Sequence, residues 1–309
     1  MASFVNAEVL ERARKKLELI ESTLFDGIRF AYFDGLVKDV DETMRHISKA
    51  KLRESDVLSC GYMRSGNHWI FEIVSMILTQ NVQFSKELLE NSFLEFLNDK
   101  VDQLLEALPE PKIITSHLRP NYLPTEVVAK QVKVVYILRN PKDTLVSWYE
   151  MSTKYEQDNV RFQGTWEEFL ELQLAGEYLW GSWFDHVLAW EKFMSDNPEV
   201  PVFVAQYEKL KEQPADVIRD LCRFLGQPDT LAEQIATATS FDNMKAGTEE
   251  KAKTGPEKFI GEDAHVVVRG LVKSWKTRFT VEQSERFNKA FEEKMAGSEL
   301  GDRLRKYIY

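Results

Sequence analysis

The most constraining feature of the chain is a strand–loop–helix pattern in Asp56–Gln80, whose sequence is DVLSCGYMRSGNHWIFEIVSMILTQ. The apolar run Val57–Cys60 predicts a buried strand of a parallel sheet. Apolar residues at helical spacing after Asn67 predict a helix that begins there. Such a loop directs free backbone N–H groups and the positive end of a helix dipole toward an anion. We therefore predict a P-loop-like phosphate site between Gly61 and Gly66.

The loop differs from the Walker pattern GxxxxGK[ST] at the last two positions. Asn67 and His68 replace the lysine and the serine or threonine of that pattern. The hydroxyl that would hold Mg²⁺ and the lysine that would reach terminal phosphates are therefore both missing. This predicts a phosphate site that needs no metal, with Arg64 as the positive charge in the loop. An ordinary glycine turn remains the alternative, because short motifs match by chance often.

Composition excludes several other classes of protein. The formal net charge of −10 disfavours a nucleic-acid surface. No segment approaches the roughly 18 continuous apolar residues of a membrane span. Residues 1–25 predict a charged amphipathic helix as an N-terminal extension, without the apolar core of a signal peptide. Cys60 and Cys222 are the only cysteines, too few for a disulfide framework or a zinc site. We therefore expect a cytoplasmic protein with no membrane partner.

Further apolar runs alternate with helical patterns along the chain. Strands are predicted at Lys112–Ser116, Val132–Leu138 and Val200–Gln206. Helices are predicted at Thr165–Ala175, Gly181–Ser195, Pro214–Leu225, Thr230–Ala238 and, as the final helix, Thr280–Met295. Alternating strands and helices indicate an α/β fold with a central parallel sheet flanked by helices, and we find no domain boundary within residues 1–309.

Several candidate functional residues follow the predicted strands. In parallel sheets ligands bind beyond the carboxyl ends of the strands, where Gly61–Gly66, His117, Arg139 and Tyr207 all fall. The segment Lys245–His265 is rich in glycine and charge, and loops of this length in a compact domain are often lids. We predict one crevice at the carboxyl edge, with a mobile lid-like loop at about 245–265.

The chain resembles the cytosolic sulfotransferases, which move a sulfuryl group from 3′-phosphoadenosine 5′-phosphosulfate (PAPS) to a hydroxyl or amine. The resemblance runs over nearly the whole chain and implies a single α/β domain. The matching segments, in the family's order, are Tyr62–Trp69 (family YPKSGTTW), Thr115–Pro120 (K-T-H), Val134–Asp143 continuing to Ser147, Trp180–Val187 (Y-G-S-W), Tyr207–Lys209 (Y-E-D), Thr239–Phe241 (T-S-F) and Val268–Lys276 (R-K-G-x-x-G-D-W-K).

The resemblance implies a role for each matching residue. His117 is the general base, and Arg64 is catalytic as well as nucleotide-binding. The residues that wrap the 5′-phosphosulfate are Arg64, Ser65, Gly66, Asn67, His68 and Trp69, with Trp69 also against the adenine. The 3′-phosphate residues are Arg139, Ser147, Val268, Arg269 and Gly270. The adenine residues are Tyr207 and, in one turn, Thr239, Ser240, Phe241 and Met244. PAP is the implied product, and no metal is needed.

Elementary chemistry agrees with these roles. A hydroxyl acceptor loses its proton as sulfur is attacked, and histidine, with an unperturbed pKa of about 6.5, suits that step near neutrality. The departing bridge oxygen gains negative charge, which a cation and helix N–H groups stabilise. As in phosphoryl transfer, we expect alignment and electrostatics to carry most of the catalysis.

The sequence departs from the family pattern at basic and hydroxyl positions. Arg64 replaces the catalytic loop lysine, and Asn67 and His68 replace two threonines. Thr115 and Val268 stand where the family has a lysine and an arginine. Arginine keeps the charge but cannot give up a proton. We predict that nucleotide binding survives and that turnover is altered.

The acceptor and the oligomeric state are constrained only by the resemblance. It predicts a small, largely apolar phenol, alcohol or amine as acceptor, near Trp148, Met151 and Phe259. A K-x-x-x-T-V-x-x-x-E pattern predicts a homodimer through Lys276, Thr280, Val281 and Glu285. Three alternatives stay open: a non-catalytic PAPS- or PAP-binding homologue, a nucleotide kinase or NTPase, and dehydration of an alcohol through a transient sulfate ester.

Overall fold

The fold is built on a four-stranded parallel sheet, preceded in the chain by a two-stranded antiparallel hairpin. The computed structural model describes residues 4–32, 39–86, 92–97, 100–155, 157–252 and 272–309. In chain order the strands are β1 (Ser22–Phe25), β2 (Ile28–Ala31), β3 (Val57–Gly61), β4 (Ile113–Ser116), β5 (Lys133–Leu138) and β6 (Val202–Gln206).

Helices surround the sheet and connect its strands. They are α1 (Ala7–Leu17), α2 (Val40–Lys49), α3 (Asn67–Thr79), α4 (Val101–Ala107), α5 (Glu126–Ala129), α6 (Pro141–Ser152), α7 (Trp166–Ala175), α8 (Trp183–Asp196), α9 (Tyr207–Glu212), α10 (Pro214–Leu225), α11 (Ala232–Ala238), α12 (Phe241–Ala252), α13 (Val281–Lys294) and α14 (Glu299–Ile308). Short 3-10 helices lie at Leu94–Phe96, Pro120–Tyr122 and Ser274–Thr277. Among the described residues, we find no helix with the length and apolar character to cross a membrane.

The parallel sheet has the strand order β4-β3-β5-β6. Cys60 in β3 lies opposite Ser116 in β4 and Tyr136 in β5, and Leu138 lies opposite Gln206 in β6. Because neighbouring parallel strands end at the same edge, the residues that follow them share that edge. The predicted α/β fold with a central parallel sheet is confirmed.

Residue alternation along β5 divides the core into two layers. Val135 and Ile137 pack with α3 and α10 on one face of the sheet. Val134, Tyr136 and Leu138 belong to the larger cluster on the other face. A strand that buries both faces must be apolar throughout, which explains the uninterrupted apolar run in the sequence. Each such buried side chain contributes about 1.5–3 kcal/mol relative to exposure.

The turn between β5 and α6 is anchored to the C-terminal part of the chain. The Asp143 carboxylate accepts hydrogen bonds from the N–H groups of Lys273 and Trp275 and from the hydroxyl of Ser274. The Lys142 ammonium donates to the carbonyl of Ile308 at 3.0 Å and lies 4.0 Å from the Trp275 ring centroid. Burial lowers the pKa of Lys142 to about 8. These contacts fix the backbone immediately after Arg139.

Two helix predictions, at the N-terminus and at the end of the chain, are wrong. The N-terminal helix covers only Ala7–Leu17, and a hairpin follows it where residues 1–25 were predicted helical. The turn of that hairpin is Asp26–Gly27, with φ of 48° and 74°, a pair that favours a tight hairpin. Helix α13 is not the last, because Ser298 caps a further helix, α14.

The predicted lid-like loop at 245–265 is also wrong in its first third. Residues 245–252 continue helix α12, which begins at Phe241. The helix continues through Gly247, a residue type that disfavours helix interiors and that contributed to the loop prediction. Residues 253–265 lie outside the described residues.

Candidate active site

The loop between β3 and α3 has the backbone of an anion cradle. Arg64 and Gly66 adopt left-handed conformations, with φ of 68° and 115°. A Cβ on Gly66 would lie 2.9 Å from Cδ2 of Tyr207, and a Cβ on Gly61 would lie 2.4 Å from Cγ2 of Ile137. Both positions therefore require glycine. No side chain caps α3 at Gly66, so the first-turn N–H groups of this helix can bind an anion.

His117 follows β4 and lies against the start of this loop. Its Nδ1 lies 2.9 Å from the carbonyl oxygen of Gly61 and 2.7 Å from Nδ2 of Asn67. The ring packs on Phe93, with 4.6 Å between centroids. The residue is 7% exposed, and burial lowers its pKa to about 3, with a smaller lowering from His68 and Arg64. The ring is therefore neutral near pH 7 and has a free lone pair, and its burial makes it a weaker base than an exposed imidazole.

Glu95 holds the main chain at His117. Its carboxylate accepts a 2.7 Å hydrogen bond from the N–H of His117 and a 3.0 Å hydrogen bond from the hydroxyl of Ser116. From the other side, Nε2 of His186 lies 3.2 Å from the carbonyl oxygen of His117. Burial raises the pKa of Glu95 to about 7. Sequence reasoning missed Glu95, because it lies in a short 3-10 helix with no recognisable motif.

Two arginines meet beside the loop. Arg139, just after β5, donates to the carbonyl oxygen of Arg64 at 2.8 Å, and Nε of Arg64 donates to the Ser147 hydroxyl at 3.3 Å. Burial, with a smaller contribution from the charge of Arg139, lowers the pKa of Arg64 to about 10. Nε of Arg139 is buried and has no partner among the described residues. Two neighbouring cations, one of which has an N–H donor without a partner among the described residues, are suited to binding a polyanion.

An aromatic group lies at the other end of the loop. The rings of Trp69 and Tyr207 meet edge to face, with centroids 5.3 Å apart, and Arg139 stacks on Tyr207 at 4.2 Å. Nζ of Lys211 lies 5.2 Å from the Trp69 ring and 5.7 Å from the Phe241 ring. These rings offer apolar faces to a planar base. Lys211 was missed, although it lies four residues after Tyr207 on the same face of α9.

The predicted adenine turn Thr239–Met244 lies at a junction between two helices. The Thr239 hydroxyl donates to the carbonyl oxygen of Ile235 in α11 at 2.8 Å, and the N–H of Met244, in the first turn of α12, donates to the carbonyl oxygen of Ser240. The predicted turn is present at Thr239 and Ser240, between α11 and α12, whereas Phe241–Met244 form the first turn of α12. The role of these residues in adenine binding stays a prediction. Phe241 still reaches the aromatic group through its neighbour Lys211.

The remaining predicted residues lie in three settings. Trp148 is fully buried, with ring centroids 5.4 Å from Tyr62 and 5.2 Å from Tyr178, and Met151 is buried further along α6. Thr115 is buried with its hydroxyl 2.9 Å from that of Ser92. The predicted residues outside the described part of the chain are Phe259, Val268, Arg269 and Gly270.

The four predicted dimer residues are all exposed. Lys276 lies in a short 3-10 helix, and the other three lie at the start of α13. Val281 is 77% exposed, and the Thr280 hydroxyl caps α13 by accepting from the N–H of Gln283. An exposed valine at a helix start is available for contact with another chain.

No group of three metal-binding side chains is found among the described residues. The buried donors on Arg139 and Trp69 instead lack partners in the described part of the chain. A ligand with phosphate and aromatic groups fits these donors, the two arginines and the rings. A Mg²⁺–nucleoside triphosphate would also need carboxylate or hydroxyl ligands at the loop.

Comparison with known proteins gives consistent matches over most of the chain. Residues 54–299 match the family described as "Sulfotransferase domain". Sulfotransferase 1A1 from Bos taurus is 32% identical over 295 residues, which cover 92% of this chain and 98% of that protein. Sulfotransferase 1A1 from Mus musculus is 34% identical over 278 residues, covering 86% and 93%.

Solved structures agree with the sequence matches. A mouse sulfotransferase, SULT7A1, complexed with PAP is 30% identical, with a TM-score of 0.76, and the alignment covers 93% of this chain and 100% of that chain. A retinol dehydratase complexed with retinol and PAP has a TM-score of 0.75 at 19% identity, covering 96% of each chain. The second likeness concerns the fold alone.

Proposed function

Because the chain belongs to the sulfotransferase family, and is thus an enzyme that uses PAPS as sulfuryl donor and releases PAP, we propose that His117 is its general base. The observation that carries this proposal is the contact of the His117 ring with the phosphosulfate loop, through Gly61 and Asn67. The buried, neutral imidazole lies against this loop, and we propose that it removes the proton of the acceptor there.

We propose that the donor is held by charge at one end and by aromatic rings at the other. Arg139 and Ser147 bind the 3′-phosphate, the loop from Arg64 to Trp69 binds the phosphosulfate, and Tyr207 contacts the adenine. When bound, PAPS supplies an activated sulfuryl group. The roles of Thr239–Met244 and of Val268–Gly270 in nucleotide binding remain predictions from the sequence.

We propose that Arg64 stabilises the charge that develops on the leaving oxygen. Its guanidinium is partly buried, which strengthens its interaction with an anion relative to bulk water. The N–H donors of a guanidinium are fixed in one plane. The position of Arg64 is restrained by its hydrogen bond to Ser147 and by the hydrogen bond from Arg139 to its carbonyl oxygen. Arg64 acts as a charge and hydrogen-bond donor and not as a proton donor.

We propose a small, largely apolar phenol, alcohol or amine as acceptor. Phe93 packs against His117, and Phe96 lies close to Phe93, with centroids 5.3 Å apart. An acceptor that reaches the His117 ring therefore meets an aromatic neighbourhood. Trp148, Met151 and Phe259 remain predicted acceptor residues. One sulfotransferase domain over residues 1–309 and a cytoplasmic location also remain predictions.

Binding of PAP tests the nucleotide part of the proposal. We expect metal-free PAP to bind the wild type and to bind Arg139→Gln about one to two orders of magnitude more weakly, because a charge-assisted hydrogen bond contributes about 1.5–3 kcal/mol. Isothermal titration calorimetry in the presence of a chelator measures both affinities. Arg223→Gln, which also removes one positive charge but lies on the exposed face of α10, is the matched control.

Equal affinities for the two variants would contradict the assignment of Arg139. A requirement for Mg²⁺ would instead favour a nucleotide kinase or NTPase. Binding of PAP and PAPS without transfer to any acceptor would favour the non-catalytic alternative.

We propose that the chain forms a homodimer through Lys276, Thr280, Val281 and Glu285. We expect Val281→Glu to raise the dimer dissociation constant by at least about tenfold, because a charge would be placed in an apolar contact. Sedimentation equilibrium measures the constant. Val128→Glu, at a partly exposed valine in α5, is the control. A wild type that is monomeric at all concentrations tested would contradict the proposal, as would equal constants for the two variants.

A further inference from the structure

Nδ1, the ring nitrogen of His117 nearest the loop, has two neighbours that differ in whether they can donate a hydrogen bond. The carbonyl oxygen of Gly61, 2.9 Å from Nδ1, can only accept a hydrogen bond. The Asn67 amide, with Nδ2 at 2.7 Å, can donate with its nitrogen or accept with its oxygen. The proton on Nδ1 therefore depends on which end of the Asn67 amide faces the ring.

The tautomer decides whether His117 can be a base toward the acceptor. A neutral imidazole carries one proton, and the nitrogen without it is the basic one. If Nδ1 carries the proton, Nε2 has the free lone pair. If Nδ1 accepts from Asn67 Nδ2, the proton is on Nε2, and the ring cannot take another proton there.

The contacts around Asn67 favour the amide oxygen facing the ring. With Nδ2 toward the ring, the Nδ1 lone pair would face the carbonyl oxygen of Gly61 across 2.9 Å, an unfavourable contact of two acceptors. In that orientation Oδ1 of Asn67 is buried without a partner among the described residues. If the amide is turned, Oδ1 of Asn67 and the carbonyl oxygen of Gly61 both accept a hydrogen bond from the proton on Nδ1. The turn gives up the long 3.4 Å contact from Nδ2 to Gly61 and moves Nδ2 to the buried position where Oδ1 has no partner among the described residues.

We propose that Asn67 is a positioning residue whose amide oxygen, together with the carbonyl oxygen of Gly61, keeps the proton on Nδ1 of His117 and so leaves Nε2 free as the base. This rests on the proposed role of His117. Asn67 acts through His117, and its side chain need not touch the substrate. Its main-chain N–H, at the start of α3, stays available to the donor.

Other charged or titratable groups near His117 act on different atoms or at longer range. Glu95 and His186 bind the main-chain N–H and carbonyl oxygen of His117. Arg64 and His68 from the loop act electrostatically and lower the pKa of the ring. These groups tune the basicity of His117, whereas Gly61 and Asn67 select the tautomer at Nδ1.

The tautomer can be measured directly, without turnover. The full chain is labelled with ¹⁵N-histidine, and the His117 signals are identified among the five histidines by their loss in His117→Gln. We expect the wild type to show a protonated Nδ1 and an unprotonated Nε2 near pH 7.5. In Asn67→Leu, which has nearly the same shape but no polar atoms, we expect the population with protonated Nε2 to rise. We expect kcat to fall on the order of tenfold to a hundredfold in that variant.

Asn67→Asp serves as the conservative rescue. Its carboxylate can only accept, so we expect the Nδ1–H tautomer to be retained and kcat to recover relative to Asn67→Leu. The added negative charge favours the imidazolium, and we therefore expect the acidic limb of the kcat/KM profile to move to higher pH. A merely structural role for Asn67 would leave the tautomer of His117 unchanged in Asn67→Leu.

Two results would overturn the proposal: a wild-type His117 with its proton on Nε2, or an Asn67→Leu variant with an unchanged tautomer. Neither depends on activity. If His117→Ala kept full activity, the proposed base would fail separately, whatever the tautomer. A dispersed NMR spectrum of Asn67→Leu shows that this variant is folded.

Discussion

His117→Ala is expected to lower kcat for sulfuryl transfer by a factor on the order of 10²–10⁴, the usual contribution of a positioned general base. The affinity for PAP should change little, because the His117 ring contacts the loop through Gly61 and Asn67 and carries no charge near neutral pH. Initial rates with PAPS and a phenol, beside calorimetry with PAP, measure the two quantities on the same preparation.

The kinetic parameters that fall in His117→Ala distinguish a general base from a residue that only binds substrate. We expect the His117→Ala defect to appear in kcat and kcat/KM together, since proton removal occurs in the transition state. His46→Ala is the control, because His46 lies on α2 with a partly exposed side chain near Glu42. Full activity in His117→Ala would contradict the assignment, whereas loss of PAP binding in that variant would indicate a structural role.

Arg64→Met is expected to lower kcat by about 10²–10³, which corresponds to about 2.7–4 kcal/mol of transition-state stabilisation. Methionine keeps much of the length of the side chain but removes its charge and donors. Arg64→Lys should retain far more activity, because lysine restores a cation at the position where related sequences carry one. Rapid-quench measurement of a single turnover isolates the chemical step from release of PAP.

The position of Arg64 makes this prediction specific. Its guanidinium donates to Ser147 and lies near Arg139, which binds the Arg64 carbonyl. Arg12→Met, which removes a charge from the exposed face of α1, should leave single-turnover rates unchanged. Single-turnover rates of Arg64→Met within a factor of about two of wild type would show that its charge does not act in the transition state.

The sequence was sufficient to predict the sheet and the ends of its strands. Strands buried on both faces leave continuous apolar runs, and the loop between Gly61 and Gly66 has glycines that its backbone requires. His117, Arg139 and Tyr207 were predicted at one edge because parallel strands end together. The order of the strands places these three residues around the loop.

Local sequence patterns could not predict contacts between distant segments. Glu95 reaches His117 from a short 3-10 helix, and no periodicity or motif marks a single buried carboxylate. The Asn67–His117 contact joins residues 50 positions apart, and the sequence suggested only a phosphate role for Asn67. The β1–β2 hairpin was overlooked because its strands are short, although Asp26–Gly27 is a recognisable turn pair.

The junction at Thr239–Met244 illustrates another limit. Serine and threonine favour both turns and helix ends, so the T-S-F segment alone did not distinguish a loop from two consecutive helices. Trp148 illustrates a different ambiguity, because an aromatic residue in a helix can belong to the core or to a binding site. Its place in a cluster with Tyr62 and Tyr178 depends on the loop after β3 and on the connection between α7 and α8, which a helical period in α6 does not reveal.

The most direct test of the account is a product balance with radiolabelled PAPS, a chelator and a panel of phenols, alcohols and amines. We predict that the wild type forms PAP and a sulfated acceptor in equal amounts without added metal, and that His117→Ala forms neither at a comparable rate. PAP formed together with a dehydrated acceptor would contradict a stable sulfate ester as product. Tight PAPS binding with no product from any acceptor would contradict catalysis by His117.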